Sequence, residues 1–239
     1  MLISVCVAAW DVAEWVGRMI ESVQAQTWPE WELCIVDDGS TDGTWDVLYR
    51  ASQLDHRVRV ERAEHLGMAR AHNRAFGMAC GQVICRQDSD DWMMPERLEK
   101  QAACLYRGAD IVCCHMAVVS EDGKPVGVWT SAGLDEEVYV YEKTRSHGPL
   151  DASIMAWARV YDEVGLWNPA YPWSPVSEWI VRSLGFGFRW DAVAEPLYVY
   201  RLHPRRTTVR GRGRGEQTYE FLVRKEREWR AHAASRLDG

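Results

Sequence analysis

The chain has 239 residues, of which 47% are hydrophobic, and it carries a formal net charge of −7. This length allows one large α/β domain or two small ones with a sizeable core, and the acidic balance argues against a general nucleic-acid binder. The seven cysteines form no CxxC pair, which argues against a zinc site or a disulfide framework and favours buried thiols in a reducing cytoplasm.

The N-terminal segment predicts neither export nor membrane insertion. Its apolar run is short and ends at Asp11, unlike a signal peptide. No stretch approaches the roughly 20 apolar residues of a membrane span. We therefore expect a cytoplasmic protein, either free or peripheral to a membrane.

Apolar runs alternate with helical segments over the first 119 residues. Asp11 is the expected N-cap of the first helix, and Pro95 stands at a favoured first helical position. Continuous apolar strands between helices predict an α/β fold, with a mostly parallel central sheet and helices on both faces. The predicted strands are 3–9, 31–36, 58–60, 83–86 and 109–119, and the predicted helices are 12–26, 45–54, 67–80 and 95–107.

The alternation changes after about residue 120. Turn residues occupy 121–125 and 146–149, a helix is predicted at 176–184 and a strand at 196–202. Residues 204–215 read PRRTTVRGRGRG, with five arginines and no acid, and a charged helix is predicted at 216–236. These patterns divide the chain into 1–119, 120–203 and a C-terminal extension at 204–239.

Two acidic clusters follow predicted strands. Asp37 and Asp38 come after the second strand, and residues 88–91 (DSDD) come after the fourth. Ligands of parallel sheets bind at the carboxyl ends of strands, so both clusters belong at the binding edge. Three neighbouring carboxylates repel one another, and burial makes this worse, so a positive partner is expected there.

Asp88 and Asp90 are two residues apart, which in an extended chain puts both side chains on one side, with Cα atoms roughly 6.5 Å apart. Carboxylate oxygens suit Mg²⁺ or Mn²⁺. Taken alone, the DxD pattern is weak, because acidic pairs are common on solvated turns and an aspartate can also cap the helix that follows.

The motifs, taken in order, resemble the family 2 glycosyltransferases with the GT-A fold. Residues 36–44 read VDDGSTDGT, which is the family pattern unchanged. Residues 67–75 resemble GxxxARNxG, 88–98 match DxDDxxxPxxL, and 195–203 read EPLYVYRLH, close to PLYxYRxH. The resemblance covers about residues 3–203 and implies a single GT-A-type domain that binds a nucleotide-diphosphate sugar.

The resemblance also implies roles for residues at the nucleotide end of the site. The base would be held by Ala8, Trp10 and Asp38, with Asp38 accepting from a ring N–H. The usual arginine before Asn73 is His72 here, so the cationic contact to the donor is either moved to Arg70 or weakened.

At the diphosphate end, Asp88 and Ser89 would contact the ribose or a metal-bound water. Asp90 would ligate Mn²⁺ or Mg²⁺, with His203 as a second metal ligand or a phosphate contact. The arginine-rich stretch is either a solvated linker or an arm that closes over the donor diphosphate through Arg205, Arg206 and Arg210.

The catalytic base departs from the family pattern. Inverting members use a carboxylate, often in an ED pair, and residues 173–182 contain only Glu178. Glu178 is therefore the predicted base, although a first-turn glutamate after an N-cap at Ser177 would look the same. Asp151 and Asp162 are the other carboxylates of this half.

The resulting prediction is an inverting, metal-dependent glycosyltransferase that moves a sugar, with a UDP-sugar favoured as donor, to an acceptor hydroxyl that the sequence does not identify. The alternative is a non-catalytic protein that keeps the fold and binds a nucleotide sugar. A DxD directly after the first strand would have favoured a haloacid-dehalogenase-type phosphotransferase, and a glycine-rich loop there would have favoured a nucleotidyltransferase.

Overall fold

The computed structural model describes residues 1–130, 151–172 and 175–206, and within these ranges the chain forms nine strands and six α-helices. The first part contains β1 (Ile3–Ala9), α1 (Val16–Gln24), β2 (Trp31–Asp37), α2 (Thr44–Leu54), β3 (Val58–Arg62), α3 (Met68–Met78), β4 (Val83–Arg86), β5 (Trp92–Met93) and α4 (Arg97–Tyr106). The second part contains β6 (Ile111–Val119), β7 (Pro125–Trp129), a 3₁₀ turn (Asp151–Ser153), β8 (Met155–Trp157), α5 (Ala158–Val164), α6 (Pro175–Gly185) and β9 (Trp190–Arg201).

One sheet runs through both parts in the order β3-β2-β1-β4-β8-β6-β9-β5, with β7 attached to β6. The strands β3, β2, β1 and β4 are parallel, as predicted. Beyond β4 the sheet is mixed, because β8 runs antiparallel to both β4 and β6, while β6 and β9 are parallel. β5 and β7 add short antiparallel pairings at the edges.

Helices cover both faces of this sheet, as the apolar strands predict. Alternate residues of β1 point to opposite faces. Val5 packs in a core with α1 and α4, whereas Cys6 packs in a second core with α3, α5 and α6. The α/β class and the helices on both faces of the sheet, as expected from sequence, are therefore confirmed.

The start of α1 differs from the prediction. The helix begins at Val16, and Asp11 does not cap it but adopts a positive φ of 50°. Its carboxylate accepts from the Thr41 amide at 2.8 Å, while the Asp42 carboxylate accepts from Ala13 N at 3.0 Å. Side chains of the VDDGSTDGT segment thus accept hydrogen bonds from the backbone amides that precede α1. These bonds tie the β1–α1 connection to the loop after β2.

Several sequence predictions lie outside the described residues. These are the helix at 216–236, Arg210, and Trp173 and Ser174 of the segment in which the catalytic base is predicted.

Six of the seven cysteines are buried and Cys80 is exposed; all seven are free thiols. Within the described ranges, no helix has both the length and the apolar character that crossing a membrane requires.

Candidate active site

The carboxyl ends of β1, β2 and β4 meet at one edge of the sheet. In the parallel register, Ala9 of β1 stands beside Asp37 of β2, and Cys6 of β1 stands beside Arg86 of β4. The amide of Asp38 continues this pairing by donating to Ala9 O at 2.8 Å. The two acidic clusters leave the sheet at this edge, as the strand pattern predicts.

Asp38 is fixed by the N-terminus of α3. Its carboxylate is 3% exposed and accepts from the amides of Leu66 and Gly67, the second at 2.9 Å. Amides at a helix start carry partial positive charge, so they attract the oxygens of this side chain. Each carboxylate oxygen has a lone pair left, which allows Asp38 to accept from a ligand as well.

Two aromatic rings stand beside this carboxylate. Trp10 is 43% exposed, and its ring centroid lies 4.7 Å from that of His65. His65 adopts a positive φ of 32°, and its Nδ1 lies 3.1 Å from Asp38 O. Ala8 is half-buried on β1, two residues before Trp10. The structure therefore brings Ala8, Trp10 and Asp38 to one place.

Asp37 and Arg70 lie in the same half of the site. Asp37 is fully buried, accepts from the Ser40 amide at 3.3 Å and pairs with Arg62, which fits a role in supporting the turn. Arg70 is exposed on the first turn of α3, and its donor contact stays a prediction.

His72 stands where the resemblance expects an arginine, and it supplies no positive charge. Burial, reinforced by the charge of Arg86, lowers its pKa to about 3, so the ring is neutral. Its ring centroid lies 4.5 Å from that of Trp167, whose indole in turn lies 5.4 Å from the Arg86 guanidinium. The buried cation in this part of the site is Arg86.

The turn between β4 and β5 gathers three carboxylates. Asp88, Asp90 and Asp91 each offer an oxygen, and these atoms lie within 4.8 Å of one another. Asp88 and Asp90 are half-buried, while Asp91 is 1% exposed. The three aspartates therefore differ in their access to a ligand.

Asp91 anchors the end of β9. Its carboxylate accepts from Tyr198 OH and from the Arg201 amide, each at 2.8 Å. Arg206 adds a bidentate pair, with Nη1 and Nη2 at 2.7 and 3.1 Å. Four donors satisfy this buried carboxylate, so its role is to hold the chain after β9 against the acidic turn.

Asp90 lies against His203. The imidazole Nε2 is 2.8 Å from Asp90 Oδ2, and the ring packs 4.0 Å from Trp15, centroid to centroid. His203 is 6% exposed, and its Nδ1 is buried with no hydrogen-bond partner. The two residues predicted as metal ligands are thus neighbours in space, although 113 positions separate them along the chain.

Two arginines offset the charge of the turn. Arg86 Nη2 donates to Asp88 Oδ1 at 2.7 Å. Arg206 lies 3.8 Å from an oxygen of Asp88 and 3.6 Å from one of Asp90, in addition to its bidentate bond to Asp91. These cations are the positive partners that the crowded carboxylates require.

The environment shifts the three carboxyl groups differently. Burial raises the pKa of Asp88 and raises that of Asp91 to about 7, against the opposing charges of Arg86 and Arg206. Burial also acts on Asp90, but the hydrogen bond from His203 and the charge of Arg206 outweigh it and lower its pKa. Asp90 is therefore the carboxylate best kept ionised and ready to bind a cation.

The donor set fits a hard divalent cation. Asp88 and Asp90 offer carboxylate oxygens, which Mg²⁺ and Mn²⁺ prefer, and the imidazole of His203 lies against Asp90. Ser89, between the two aspartates, is 7% exposed. Arg205 lies outside this cluster, where it pairs with Glu14 at 2.8 Å and lies 4.1 Å from the Trp15 ring.

Glu178 has an evident partner inside the fold. It is 2% exposed, and its two oxygens accept from Nε and Nη2 of Arg182, each at 2.8 Å. Arg182 also donates to the carbonyls of Val164 and Leu166, so the pair ties α6 to the end of α5. Because α6 begins at Pro175, Ser177 lies inside the helix and is not its N-cap.

Of the other two carboxylates, Asp162 is exposed on α5. Asp151 opens the 3₁₀ turn before β8, and its charge acts on both Arg86 and Asp88. Asp151 is therefore electrostatically linked to the acidic turn. The hydrogen bonds and ion pairs of Glu178 described above are all with Arg182.

The sequence assigned no role to Arg86, Asp91 or Tyr198. A signal existed for Arg86, because residues two apart on an extended chain face the same side, which puts Arg86 beside Asp88. The Asp91 contacts had no such signal, since Tyr198 and Arg206 are 107 and 115 residues away along the chain.

Comparison with known proteins gives a consistent result. The sequence model for glycosyl transferase family 2 matches residues 4–165. A proposed glycosyltransferase of Bacillus subtilis (strain 168), EpsH, is 31% identical over 203 residues, which are 84% of this chain and 55% of EpsH. The chain spans about half the length of the first curated relatives it matches.

Solved structures share the fold. Residues 1–349 of S. aureus TarS in complex with UDP-GlcNAc match with a TM-score of 0.74 at 19% identity, over 98% of this chain and 69% of that one. The mannosyltransferase PcManGT from Pyrobaculum calidifontis, in complex with GDP-Man and Mn²⁺, matches with a TM-score of 0.65 at 16% identity, over 85% of this chain and 57% of that one.

Proposed function

The chain belongs to glycosyl transferase family 2, and on that premise we propose that it transfers a sugar from a nucleotide-diphosphate sugar to an acceptor hydroxyl, with inversion at the anomeric carbon and with the help of Mn²⁺ or Mg²⁺. One observation carries the proposal. Asp88 and Asp90 lie in one carboxylate cluster, His203 lies against Asp90, and the cluster leaves the sheet at the same edge as Asp38 and Trp10. A base-binding end and a cation-binding end therefore adjoin, as a nucleotide diphosphate requires.

We propose that the nucleotide is a uridine nucleotide. Asp38 has spare acceptor capacity for a ring N–H, and the half-exposed Trp10 offers a flat face for a base. S. aureus TarS, which shares the fold, has been solved with UDP and with UDP-GlcNAc. The fold-mate PcManGT was solved with GDP-Man instead, so the nucleotide must be determined by experiment.

Transfer requires stabilisation of the leaving diphosphate and removal of the acceptor proton. A bound Mn²⁺ or Mg²⁺ would supply positive charge to the diphosphate oxygens. Within the chain, Asp90 and His203 would hold that ion, and Asp88 would bind through a water or a ribose hydroxyl. Arg70 and Arg205 are exposed cations that would contact the donor, as the resemblance implies.

We place the base at Asp151 or Glu178 and favour Asp151. A general base needs a carboxylate oxygen free to accept the acceptor proton. The hydrogen bonds of Glu178 to Arg182 belong to the contact that ties α6 to the end of α5, whereas Asp151 acts electrostatically on Arg86 and Asp88 beside the proposed donor site. The carboxylate would take the hydroxyl proton as that oxygen attacks the anomeric carbon, and one displacement inverts the configuration.

A direct test combines binding with turnover. Thermal denaturation with UDP, GDP and their sugars, each with Mn²⁺ or with EDTA, should show stabilisation by one nucleotide only when the metal is present. The stabilising sugar nucleotide should then be hydrolysed or transferred in the presence of Mn²⁺. Asp90→Asn should lose the metal-dependent stabilisation while keeping its own melting temperature, and Asp122→Asn, on an exposed turn, is the matched control.

A second candidate is a protein that binds the nucleotide sugar without transferring it. This candidate is favoured because Glu178 is paired with Arg182 and because its segment contains no ED pair. Metal-dependent nucleotide binding combined with no hydrolysis and no transfer to any acceptor hydroxyl would support it over catalysis.

A further inference from the structure

The guanidinium of Arg206 lies near all three carboxylates of the acidic turn. Arg206 is 6% exposed, binds Asp91 through two nitrogens, and stands 3.6 and 3.8 Å from oxygens of Asp90 and Asp88. Its guanidinium lies 3.5 Å from the Tyr200 ring, and its Nη1 also donates to Arg201 O at 2.7 Å. Packing and hydrogen bonds thus hold this cation at a defined point among the aspartates.

The contacts to the three carboxylates are not equivalent. The bonds to Asp91 are hydrogen bonds of 2.7 and 3.1 Å, whereas the approaches to Asp88 and Asp90 are ion-pair distances of 3.6–3.8 Å. A guanidinium stays charged in proteins, so Arg206 is a permanent cation beside Asp91 and Asp90. Asp91 therefore holds the guanidinium close to Asp88 and Asp90 without full contact.

We propose that Arg206 is the resident counter-ion of the acidic turn: it competes with a divalent cation for Asp88 and Asp90, and its bond to Asp91 restrains that competition. The inference rests on the proposed metal-dependent function. The guanidinium would stabilise the ligand-free turn by offsetting the repulsion among the carboxylates. The same charge would weaken the binding of a second cation at those oxygens, since like charges a few ångströms apart repel.

Two variants should move the metal affinity in opposite directions. Arg206→Met removes the competing charge and leaves Asp91 without its cation, so the ligand-free protein should bind Mn²⁺ about tenfold more tightly. Asp91→Asn removes the partner that restrains Arg206, so the guanidinium should move toward Asp88 and Asp90, and Mn²⁺ should bind about tenfold more weakly. A purely structural role of the pair would weaken Mn²⁺ binding in both variants.

The measurement is a titration of the nucleotide-free protein with Mn²⁺, following the electron paramagnetic resonance signal of the free ion. Arg206→Lys keeps the charge and should restore an affinity close to wild type. Arg57→Met is the matched control, because Arg57 makes a bidentate bond to Asp55 far along the chain from the acidic turn. Its Mn²⁺ affinity should equal that of wild type.

Stability gives a second reading if Arg206→Met folds poorly. Its melting temperature should be below that of wild type without metal, and Mn²⁺ should raise it by more than it raises wild type, since the added ion replaces the missing charge. The inference is overturned if Arg206→Met binds Mn²⁺ no better than wild type and if Mn²⁺ raises its melting temperature no more than that of wild type.

The inference and the proposed function fail in different ways. Wild-type binding of Mn²⁺ together with weaker binding by Arg206→Met overturns the inference alone. Binding of Mn²⁺ by nucleotide-free Arg206→Met but not by nucleotide-free wild type keeps the inference. Absence of binding in all nucleotide-free variants overturns the inference, and the thermal denaturation with nucleotide and Mn²⁺ tests the proposed function separately.

Discussion

At the scale of single residues, Asp38 joins a structural role to the role proposed in binding. Its carboxylate holds the amides at the start of α3 and would also accept from the base. Asp38→Asn keeps the shape and loses the charge, so we expect the donor KM to rise about 10- to 150-fold, equal to about 1.5–3 kcal/mol. Steady-state kinetics with the donor varied measures this change.

The neighbouring Asp37 provides the control for that substitution. It accepts from the Ser40 amide in the loop after β2 and pairs with Arg62 at the end of β3, so Asp37→Asn should lower the melting temperature and leave the donor KM close to wild type. If both variants raise the KM equally, Asp38 acts only through the loop.

The base is a second question at this scale, and two substitutions answer it. Asp151→Asn should keep nucleotide binding and reduce transfer about 10²- to 10⁴-fold, the usual contribution of a general base. Its rate profile should also lose the acidic limb, because the group that must be ionised is gone. Transfer assays across pH and nucleotide titrations check both expectations.

Glu178→Gln should have the opposite profile. It weakens a charged, buried pair with Arg182, so we expect about 1.5–3 kcal/mol of lost stability with transfer retained. Full activity in Asp151→Asn, together with a folded but inactive Glu178→Gln, would assign the base to Glu178.

Residue pairs in this site were predictable to different degrees. Asp88, Asp90 and His203 follow from motifs that keep their spacing, so the sequence indicates them through resemblance. The bond of Asp91 to Arg206 depends on how β9 returns to the acidic turn. No local pattern encodes that return, because it is a property of the assembled sheet.

At the scale of elements, α3 contains a buried histidine, His72, that makes the stability of the protein depend on pH. The pKa of His72 is lowered to about 3 in the folded protein, first by burial and then by Arg86, against an ordinary value of 6.5. Below pH 6.5 His72 binds a proton in the unfolded chain but stays neutral in the folded protein. Stability is therefore lost as pH falls from 6.5 toward 3, at up to about 1.4 kcal/mol per pH unit from this group.

His72→Gln should flatten that dependence, since glutamine does not titrate. Urea unfolding at several pH values between 4 and 7 would show a slope smaller by up to one proton in the variant. The same substitution at exposed His56 is the control. An unchanged slope in His72→Gln would mean that other groups control the acid sensitivity.

The elements of the first half follow from sequence more fully than those of the second. Strands β1, β2 and β4 are apolar runs because both their faces are covered, and such runs are visible without any partner. β5 has two residues and exists because Trp92 and Met93 pair with β9. β8 has three residues wedged between β4 and β6, so tertiary pairing and not local pattern determines it.

At the scale of the whole molecule, the sheet makes the described parts interdependent. β8 joins β4 to β6, and each of the two cores includes residues from both halves. We therefore expect one cooperative unfolding transition, with far-ultraviolet circular dichroism and tryptophan fluorescence giving the same midpoint. Two separated midpoints would show that residues 1–119 and 120–203 unfold as independent units.

The return of β9 to the acidic turn determines when the site can form during synthesis on the ribosome. Asp91 is made 115 residues before Arg206, which at about 5–20 residues per second leaves the aspartates without that partner for about 6–23 s. Until then the nascent chain can pair β1, β2, β3 and β4, but the acidic turn keeps an unbalanced charge. The acidic turn is thus the last part of the described fold to gain its partners, and metal-dependent nucleotide binding to stalled nascent chains should first appear only after His203, the proposed metal contact, has left the exit tunnel.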